Sequence, residues 1–592
     1  MSLNTQIAKL FSTMAAVMDI RGENPFKAIA FSKNARALEA TTVDLRQAVA
    51  NGTLKDIPGI GASSRKIIED YVRTGRSTDY EEVVASIPAG LLPMLDIPGM
   101  GPKTICLVWK ERGITSIEEL AVAIEQGKLA GLKGIGEKKI AAIREGITMR
   151  SQASQRVGLP MAAAMAEALV DRVRRIAGVQ RAEIAGSLRR GRETVGDVDL
   201  VCALADDQAK GEDVTAAFVQ FPEVERIAGQ GSTKASVVTS GGLQVDLRIV
   251  PPENFGAAWL YFTGSKDHTV RLRGRAQDRG MTLNEWGLYR LEEYDKAKKE
   301  TAKPPQAKPV ASKTEADIYK ALDLAYIEPE LREDRGELDL AAEGNLPKLI
   351  ELSNIRGDLH SHTRASDGTA TIEQMIESAM AMGYEFLGIT DHSQSQAIAN
   401  GLKPDRLMKH VAEIRKIAEK YKGLTVLAGC EVDILVDGRM DYEDAILKEL
   451  DFVIGSPHSS LKQPESKATD RLVRAIENPY VNIIGHPTGR LIGRRDGLPL
   501  DFSRIYRAAA ATGTVLELNA SYPRLDLNDV RARGARESGV KLSINTDAHS
   551  PEEFESMRWG IAVARRAGCA PEDVINCMSA KALRKMLGRG RS

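Results

Sequence analysis

The pattern of apolar and polar positions changes character along the chain. Over the first 150 residues helical patterns follow short Gly-containing turns. From about Gly178 β-branched runs take over at Arg181 to Ala185, Asp197 to Leu204, Ala235 to Thr239 and Leu243 to Ile249, with helical segments between them. A strand-like run from Ile355 to His360 opens a third pattern, in which apolar strands alternate with amphipathic helices. Its further strands are predicted at Phe386 to Thr390, Thr425 to Leu427, Phe452 to Ile454, Asn482 to Ile484, Val515 to Leu518 and Lys541 to Ile544. Repeated β/α units of this kind imply a closed or nearly closed parallel barrel with ligands at the strand C-termini. Two breaks separate the patterns. Asp295 to Lys313 sets six Lys against Glu300 and carries Pro304, Pro305 and Pro309, which reads as a flexible tether or loop. Gly336 to Asn354 is the second break.

Composition narrows the class. A chain of 592 residues implies several folded units. With 43% apolar and 27% charged residues it is globular, and disordered and collagen-like classes are excluded. No run approaches the roughly 18 apolar residues of a spanning helix, so a cytoplasmic protein without membrane contact is expected. Five scattered thiols (Cys106, Cys202, Cys430, Cys569, Cys577) form no CxxC pair and read as reduced packing residues. Lys plus Arg (81) equals Asp plus Glu (81), so any nucleic-acid binding must come from local sites.

One such site recurs three times. Ile57-Pro58-Gly59-Ile60-Gly61, Ile97-Pro98-Gly99-Met100-Gly101 and Leu132-Lys133-Gly134-Ile135-Gly136 each precede a helical pattern. The glycines allow a tight hairpin that points backbone N–H groups outward at the start of the next helix, where a phosphate fits. Three copies point to helix-hairpin-helix binding of a DNA backbone through Gly59, Gly61, Gly99, Gly101, Gly134 and Gly136, independent of base sequence.

The second pattern carries Gly186-Ser187-Leu188-Arg189-Arg190-Gly191, then Gly196-Asp197-Val198-Asp199, and later Val245-Asp246-Leu247-Arg248. Residues i and i+2 of a strand share a face, so Asp197 and Asp199 present paired carboxylates that Asp246 can join from a neighbouring strand. Three carboxylates together call for divalent cations, and oxygen ligands favour Mg²⁺ or Mn²⁺. The Gly-Ser turn and its Arg offer donors to phosphate oxygens. No GxxxxGK[ST] motif occurs, which excludes a P-loop enzyme.

On these motifs, with Tyr261-Phe262-Thr263-Gly264-Ser265 and Leu283-Asn284-Glu285-Trp286, residues 1 to about 335 resemble a family X DNA polymerase, similar in layout to DNA polymerase beta. The resemblance implies that Asp197, Asp199 and Asp246 are the palm carboxylates. It implies that Ser187, Arg190 and Gly196 hold an incoming triphosphate, that Tyr261, Phe262 and Gly264 floor its sugar, and that Arg273 reaches the templating minor groove. Arg248 and Glu285 match residues linked to closure. Two positions depart from the family: Thr269 stands where Asn is common, and Ile67 stands where a Schiff-base Lys is expected, with Lys66 one step away on the helix.

Histidine is scarce, eight in the chain, and six stand in motifs after Ile355 beside carboxylates: His360-Ser361-His362, Asp367, Asp391-His392, Glu431, His458, Gly485-His486-Pro487 and Asp547-Ala548-His549. An imidazole-rich set of His360, His362, Asp367, His392, Glu431, His458, His486, Asp547 and His549 suits Zn, Mn or Fe, and it exceeds what one tetrahedral centre needs. Two or three metal ions follow. The set resembles the PHP (polymerase and histidinol phosphatase) domain over Ile355 to Ser592. Asp358 and Asp391 are expected to orient ligating histidines, Asn519 and Arg524 to grip phosphate, and His268 and His410 to be structural.

The fold expected is therefore multidomain: N-terminal α-helical helix-hairpin-helix units, an α+β nucleotidyltransferase palm and thumb, and a C-terminal (β/α) PHP barrel. The expected bounds are 1–84 (lyase-like), 85–150 (fingers), 151–250 (palm), 251–335 (thumb with the insertion 295–313), 336–354 (linker) and 355–592 (PHP). The expected function is short-gap filling in DNA repair, with base excision as its setting. A 3′-5′ exonuclease, 3′-phosphodiesterase or abasic-site endonuclease would reside in the PHP domain. Partners would be gapped, nicked or primer-template DNA and deoxynucleoside triphosphates, and the protein would act as a monomer. The alternatives are a DNA-binding scaffold with one idle half and a small-molecule phosphatase.

Overall fold

Each Gly-x-Gly turn does start a helix in a computed structural model of the chain. The model describes residues 3–588 apart from 23–24, 42, 44, 58, 98, 130–131, 133, 153–155, 206–209 and 298–306. Gly61 and Gly101 are the N-caps of Ala62–Thr74 and Pro102–Arg112, and Gly136 precedes Glu137–Gln152. Gly59, Gly99 and Gly134 take φ values of 87°, 84° and 86°, a left-handed conformation that costs glycine little. The described residues form two compact units, Met1–Gln155 with Asp501–Ser503, and Arg156–Leu500 with Arg504–Ser592. The first is helical and holds two apolar cores, one around Phe11, Leu38 and Ile67, the other around Leu91, Ile105 and Leu120.

The second unit begins with a five-stranded sheet in the order Val179–Ile184, Asp197–Leu204, Gln244–Val250, Lys234–Thr239, Val224–Gln230. Leu200, Val198, Val245 and Leu247 bury one of its sides against the helix Leu159–Arg174, while Val201 and Ala203 meet the helix Phe255–Thr263. The alternation of apolar residues along these strands thus reflects burial on both faces. The strand Val224–Gln230, most of whose residues are exposed, was not predicted. A hairpin, Met281–Asn284 with Gly287–Arg290, follows the helix Lys266–Asp278.

Part of the expected tether is not loose. Residues 298–306 lie outside the described set, but Val310 and Ala311 hydrogen-bond Leu288 of the hairpin, and Ala311 and Ser312 are buried. The apolar side chain of Ala311 finds a place in the core beside Leu283 and Leu288. Residues 336–354 are likewise packed: Glu337–Glu343 is a helix with Leu338 and Ala341 buried, and Ile350 N–H donates to the Cys569 carbonyl at 2.9 Å.

The third pattern forms seven parallel strands in sequential order, Gly357–Asp358, Phe386–Ile389, Thr425–Asp433, Phe452–Ser456, Ile483–Ile484, Val515–Asn519 and Leu542–Asn545. A parallel bridge between Ser361 and Ala548, just beyond the first and last strands, brings the sheet near closure. No described helix is long and apolar enough to cross a membrane.

Candidate active sites

Parallel pairing of Asp197–Leu204 with Gln244–Val250 sets Asp199 opposite Asp246, and Asp197 shares their face two residues earlier. Burial pushes the Asp199 carboxyl up to about 7, reinforced by the neighbouring carboxylates Asp197 and Asp246. Asp197 is raised as well, by burial and then by Asp246. This is the electrostatic state of a cation site. Lys234, unflagged by its sequence, places Nζ 3.5 Å from Asp246.

The Gly-Ser turn abuts this face. A Cβ on Gly186 would stand 2.3 Å from Asp199 Oδ2, so only glycine lets the turn close on the carboxylate. Arg189 stacks over Trp259 at 3.3 Å and makes a two-pronged pair with Glu315 at 2.8 and 2.7 Å. Arg190 donates to Glu333 at 3.1 Å and to the Thr263 carbonyl. Gly264 has φ 69°, and a Cβ there would lie 3.2 Å from Arg190 Nη1. The Tyr261–Ser265 segment and the Gly186–Gly191 turn are therefore in contact. Tyr261 and Phe262 meet edge to face at 5.4 Å, and Arg248 lies 4.9 Å over Phe262. Ser187 is half-buried, and Gly196 and Arg273 are exposed.

In the helical unit a Cβ at Gly61, Gly101, Gly134 or Gly136 would meet nothing within 4 Å, whereas one at Gly99 would lie 3.3 Å from Ile143 and one at Gly59 3.9 Å from Ala37. Pro58, Pro98 and Lys133 of the repeats lie outside the described residues. Ile67 is 2% exposed in the apolar core, whereas Lys66 is exposed and pairs with Asp79 at 3.6 Å. No amine occupies the position where the resemblance expects one.

The nine donors of the last pattern converge from the C-terminal ends of the parallel strands. Glu431 is the hub: its oxygens lie 2.8 Å from His392 Nδ1, 3.2 Å from His458 Nε2, 2.8 Å from His486 Nε2 and 3.4 Å from His360 Nε2. Asp547 Oδ1 stands 3.0 Å from His362 Nε2, and Asp367 stands 3.6 Å from His392 and 3.4 Å from His549. Three groups within metal-ligand reach emerge: His362, Asp367, His392 and His549; His360, His362, Glu431 and Asp547; His392, Glu431 and His458. His486 belongs to none of the three but touches Glu431. His486 and Asp547 hold φ of 25° and 56°, a strained backbone where ligands must be aimed.

Buried atoms without hydrogen-bond partners test the fit. His360 Nε2, His362 Nδ1, His392 Nδ1, Glu431 Oε2 and His458 Nε2 are all of this kind. His392 Nδ1 and Glu431 Oε2 face each other at 2.8 Å without bonding geometry, as two ligands of one cation would. The residues present fit a multi-metal centre. Burial opposes the charge of Glu431, but His458, His360 and His392 outweigh it and hold the carboxyl well below its usual range. Burial, with His392 and His549 behind it, takes His362 down to about 4. His458 rises to about 9 despite burial because Glu431 and Asp433 face it.

Two expectations are corrected here. Asp391 accepts from His410 Nε2 at 2.8 Å and from Thr363 and Ser366, and touches no ligating ring. Asp358 accepts from Thr546 and from the His360 backbone. The ring-orienting carboxylates are Glu517, 2.8 Å from His360 Nδ1, and Asp433, 2.6 Å from His458 Nδ1. Asp358 and Asp391 instead accept from backbone and hydroxyl groups next to the ligands, Asp358 at His360 and Thr546 and Asp391 at Thr363 and Ser366. A carboxylate two residues after Glu431 on the same strand face was the available signal for Asp433. His268, between Glu337 and Tyr319 at 2.7 and 2.8 Å, is a buried structural histidine whose pKa burial lowers. Asn519 and Arg524 approach Asp547 Oδ2 at 3.1 and 3.4 Å, at the edge of the cluster.

Known families match the chain in the same order. A helix-hairpin-helix domain matches residues 2–77, a SAM-like helix-hairpin-helix tandem 91–148, the DNA polymerase beta thumb 258–333 and the PHP domain 358–520. The DNA polymerase/3'-5' exonuclease PolX of Bacillus subtilis is 37% identical over 585 residues, 98% of this chain and 99% of its own length. A probable phosphatase of Thermoanaerobacter sp. is 30% identical over 230 residues, 37% of this chain and 89% of its own length. Another, of Edwardsiella ictaluri, is 31% identical over 244 residues, 40% of this chain and 95% of its own. Identity sustained across nearly all of both chains, with hairpin, thumb and PHP regions in register, shows that the chain belongs to the family X DNA polymerases that carry a C-terminal PHP domain.

Proposed function

We propose that the chain is a DNA-directed DNA polymerase and a 3′-5′ exonuclease in one polypeptide, extending 3′ ends at the palm and hydrolysing phosphodiesters at the PHP centre. The supporting observation is the coexistence of two separate sets of candidate ligands, three carboxylates on paired strands and a nine-residue cluster with buried unpartnered donors. In this reading Asp197, Asp199 and Asp246 hold Mg²⁺ or Mn²⁺. His360, His362, Asp367, His392, Glu431, His458, His486, Asp547 and His549 hold two or three Mn²⁺, Zn²⁺ or Fe ions. Bound ions lower the pKa of a coordinated hydroxyl or water and neutralise charge on the phosphate.

The chain's own residues bind and orient. Ser187, Arg190 and Gly196 take the triphosphate of a deoxynucleotide; Tyr261, Phe262 and Gly264 floor its sugar; Arg273 meets the template side. Gly59, Gly61, Gly99, Gly101, Gly134 and Gly136 hold DNA phosphates, so binding weakens with salt. At the PHP centre Asn519 and Arg524 hold the scissile phosphate. The domain bounds proposed are 1–84, 85–150, 151–250, 251–335 and 355–592, joined through 336–354. Short gaps, nicks and primer-template junctions in base excision repair are the proposed substrates, with 3′-phosphodiesters and abasic sites as further targets of the PHP centre. The protein is proposed to act as a cytoplasmic monomer.

The test follows a labelled primer in a one-nucleotide gap with Mn²⁺, with and without deoxynucleotides. Extension with nucleotides and 3′ shortening without them is the expected pair of results. Neither reaction, with gel-shift binding intact, would favour a scaffold. A second reading, a small-molecule phosphatase, is favoured by the relatives named as phosphatases, whose matches cover a share of this chain about the size of the C-terminal domain. Phosphate release from histidinol phosphate without DNA shortening would select it.

A further inference from the structure

The phosphate turn of the palm is backed by protein, and that protein is the PHP domain. Trp559 and Ala562, from the helix Met557–Arg566, pack against the palm core that contains Leu188, Val195 and Val198. Gly191, which ends the turn, has φ 66°, and a Cβ on it would lie 3.4 Å from Ala562 Cβ and 3.6 Å from Arg566 Cδ. The turn and the helix are therefore in close packing range, and the positive φ of Gly191 is what favours glycine there.

Arg566 closes this helix, and its side chain is 3% exposed. Its Nη1 donates to the Arg190 carbonyl at 2.7 Å and to Glu333 Oε1 at 2.9 Å, and its Nη2 to Asp529 Oδ2 at 2.8 Å. Glu333 Oε1 also accepts from Arg190 Nε at 3.1 Å, and Asp529 Oδ2 from Arg335 at 3.0 Å. Arg190 Nη1 is held by the Thr263 carbonyl. Arg190 is thus fixed at three points: its carbonyl by Arg566, its Nε by a carboxylate that Arg566 shares, and its Nη1 by the residue before Gly264. Among the described residues its Nη2 is the donor left over.

A guanidinium presents several donors in one plane and so bridges three acceptors at once, which an ammonium on a flexible stem does not do. Without Arg566 the Arg190 carbonyl loses its donor, and Glu333 is left to Arg190 and to Arg192, whose Nη1 lies 3.9 Å from its Oε2. The turn then loses its backbone anchor, and the Arg190 charge is more fully neutralised by protein.

We propose that Arg566 is a positioning residue for polymerisation: from the PHP domain it sets the Gly186–Gly191 turn and the Arg190 guanidinium for the incoming triphosphate. Nucleotide binding in the palm then depends on the docked PHP helix, although the PHP chemistry lies elsewhere. The inference rests on the proposed role of Arg190 as a triphosphate contact.

The experiment compares full-length wild type, Arg566→Ala, Arg566→Lys and Arg190→Ala on the gapped primer, measuring KM for deoxynucleotide and kcat separately, with nucleotide-free exonuclease on the same preparations. Arg566→Ala is expected to raise KM about tenfold while kcat changes less than about threefold and exonuclease stays within about twofold, the signature of lost ground-state positioning. Arg566→Lys is expected to recover part of the loss. If Arg566→Ala does not fold, Arg566→Lys carries the comparison, with KM raised about threefold. An unchanged KM in both Arg566 variants beside a raised KM in Arg190→Ala overturns the inference and leaves the nucleotide site standing. An unchanged KM in Arg190→Ala overturns the nucleotide reading itself, and the inference with it. Parallel loss of both activities in both Arg566 variants overturns it as a folding effect.

Discussion

The palm and the PHP centre both gather buried carboxylates, yet their proton affinities move in opposite directions. Asp199 rises to about 7 because burial and two like charges act together. Glu431, more deeply buried, falls well below the ordinary range because three histidines surround it. The sign of the neighbours decides the outcome. An all-carboxylate site is self-repelling until a cation arrives, whereas alternating imidazoles and carboxylates neutralise one another as well as a cation. The first sits at the edge of two paired strands with Asp197 exposed, and the second is enclosed at the mouth of seven strands. An open acidic site suits hard ions that exchange with substrate, and an enclosed imidazole site suits resident ones.

The largest effect expected is at the palm. Asp199→Asn should lower primer extension by about four orders of magnitude, as loss of one member of a concerted set does, with exonuclease unchanged. Loss of both activities in a steady-state assay would break the separation of the sites. Glu431→Ala should reverse the pattern, cutting exonuclease by about three orders of magnitude while extension persists. Metal analysis of the purified variant should then show fewer bound ions than wild type.

A finer test addresses the carboxylates behind the rings. Glu517→Gln or Asp433→Asn should weaken PHP metal affinity by roughly 10- to 100-fold, measured by competition with a chelating dye. Asp391→Asn, whose partners are His410, Thr363 and Ser366 rather than a ligating ring, should weaken that affinity less. The smallest effect is that of pH on the palm. Asp199 keeps its proton up to about 7, so a cation must displace that proton below this pH. Palm Mn²⁺ affinity should therefore climb by up to about tenfold per pH unit below 7 and level off above it. The sign for folding is the reverse: with its folded pKa raised, Asp199 favours the metal-free fold at low pH, and that contribution is lost as pH rises from roughly 4 through 7. Affinity independent of pH between 5 and 7, measured by paramagnetic resonance and referenced to Asp199→Asn, would mean that burial and the neighbouring carboxylates do not raise Asp199 as described.

How much was legible differs between the two regions for a physical reason. The palm pair obeys the two-residue period of a strand, so Asp197-Val198-Asp199 identifies itself, and Asp246 joins from a strand whose apolar alternation is equally plain. The strand Val224–Gln230 escaped because it is mostly exposed and carries little apolar signal. In the barrel the candidate ligands are legible because histidine is scarce and sits in short motifs just past strand ends. Their orienting partners are not. Glu517 lies 157 residues from His360, and only the closing of the barrel brings them to 2.8 Å. The same holds for Arg566, which meets the Arg190 carbonyl across 376 residues. In the Lys-rich run, read as a tether or loop, charge hid one contact: Ala311 is apolar and finds core to bury in.

The sequence by itself determined the order of the elements, the hairpin glycines, the chemistry of each ligand set and the family, because each is written in local periodicity or in residue types rare enough to stand out. Tertiary structure alone decided which carboxylate faces which ring, which proton affinities rise or fall, and that the helix Met557–Arg566 backs the Gly186–Gly191 turn. Those properties depend on distances of a few ångströms between residues far apart in the chain, and such distances are fixed only when the whole unit packs.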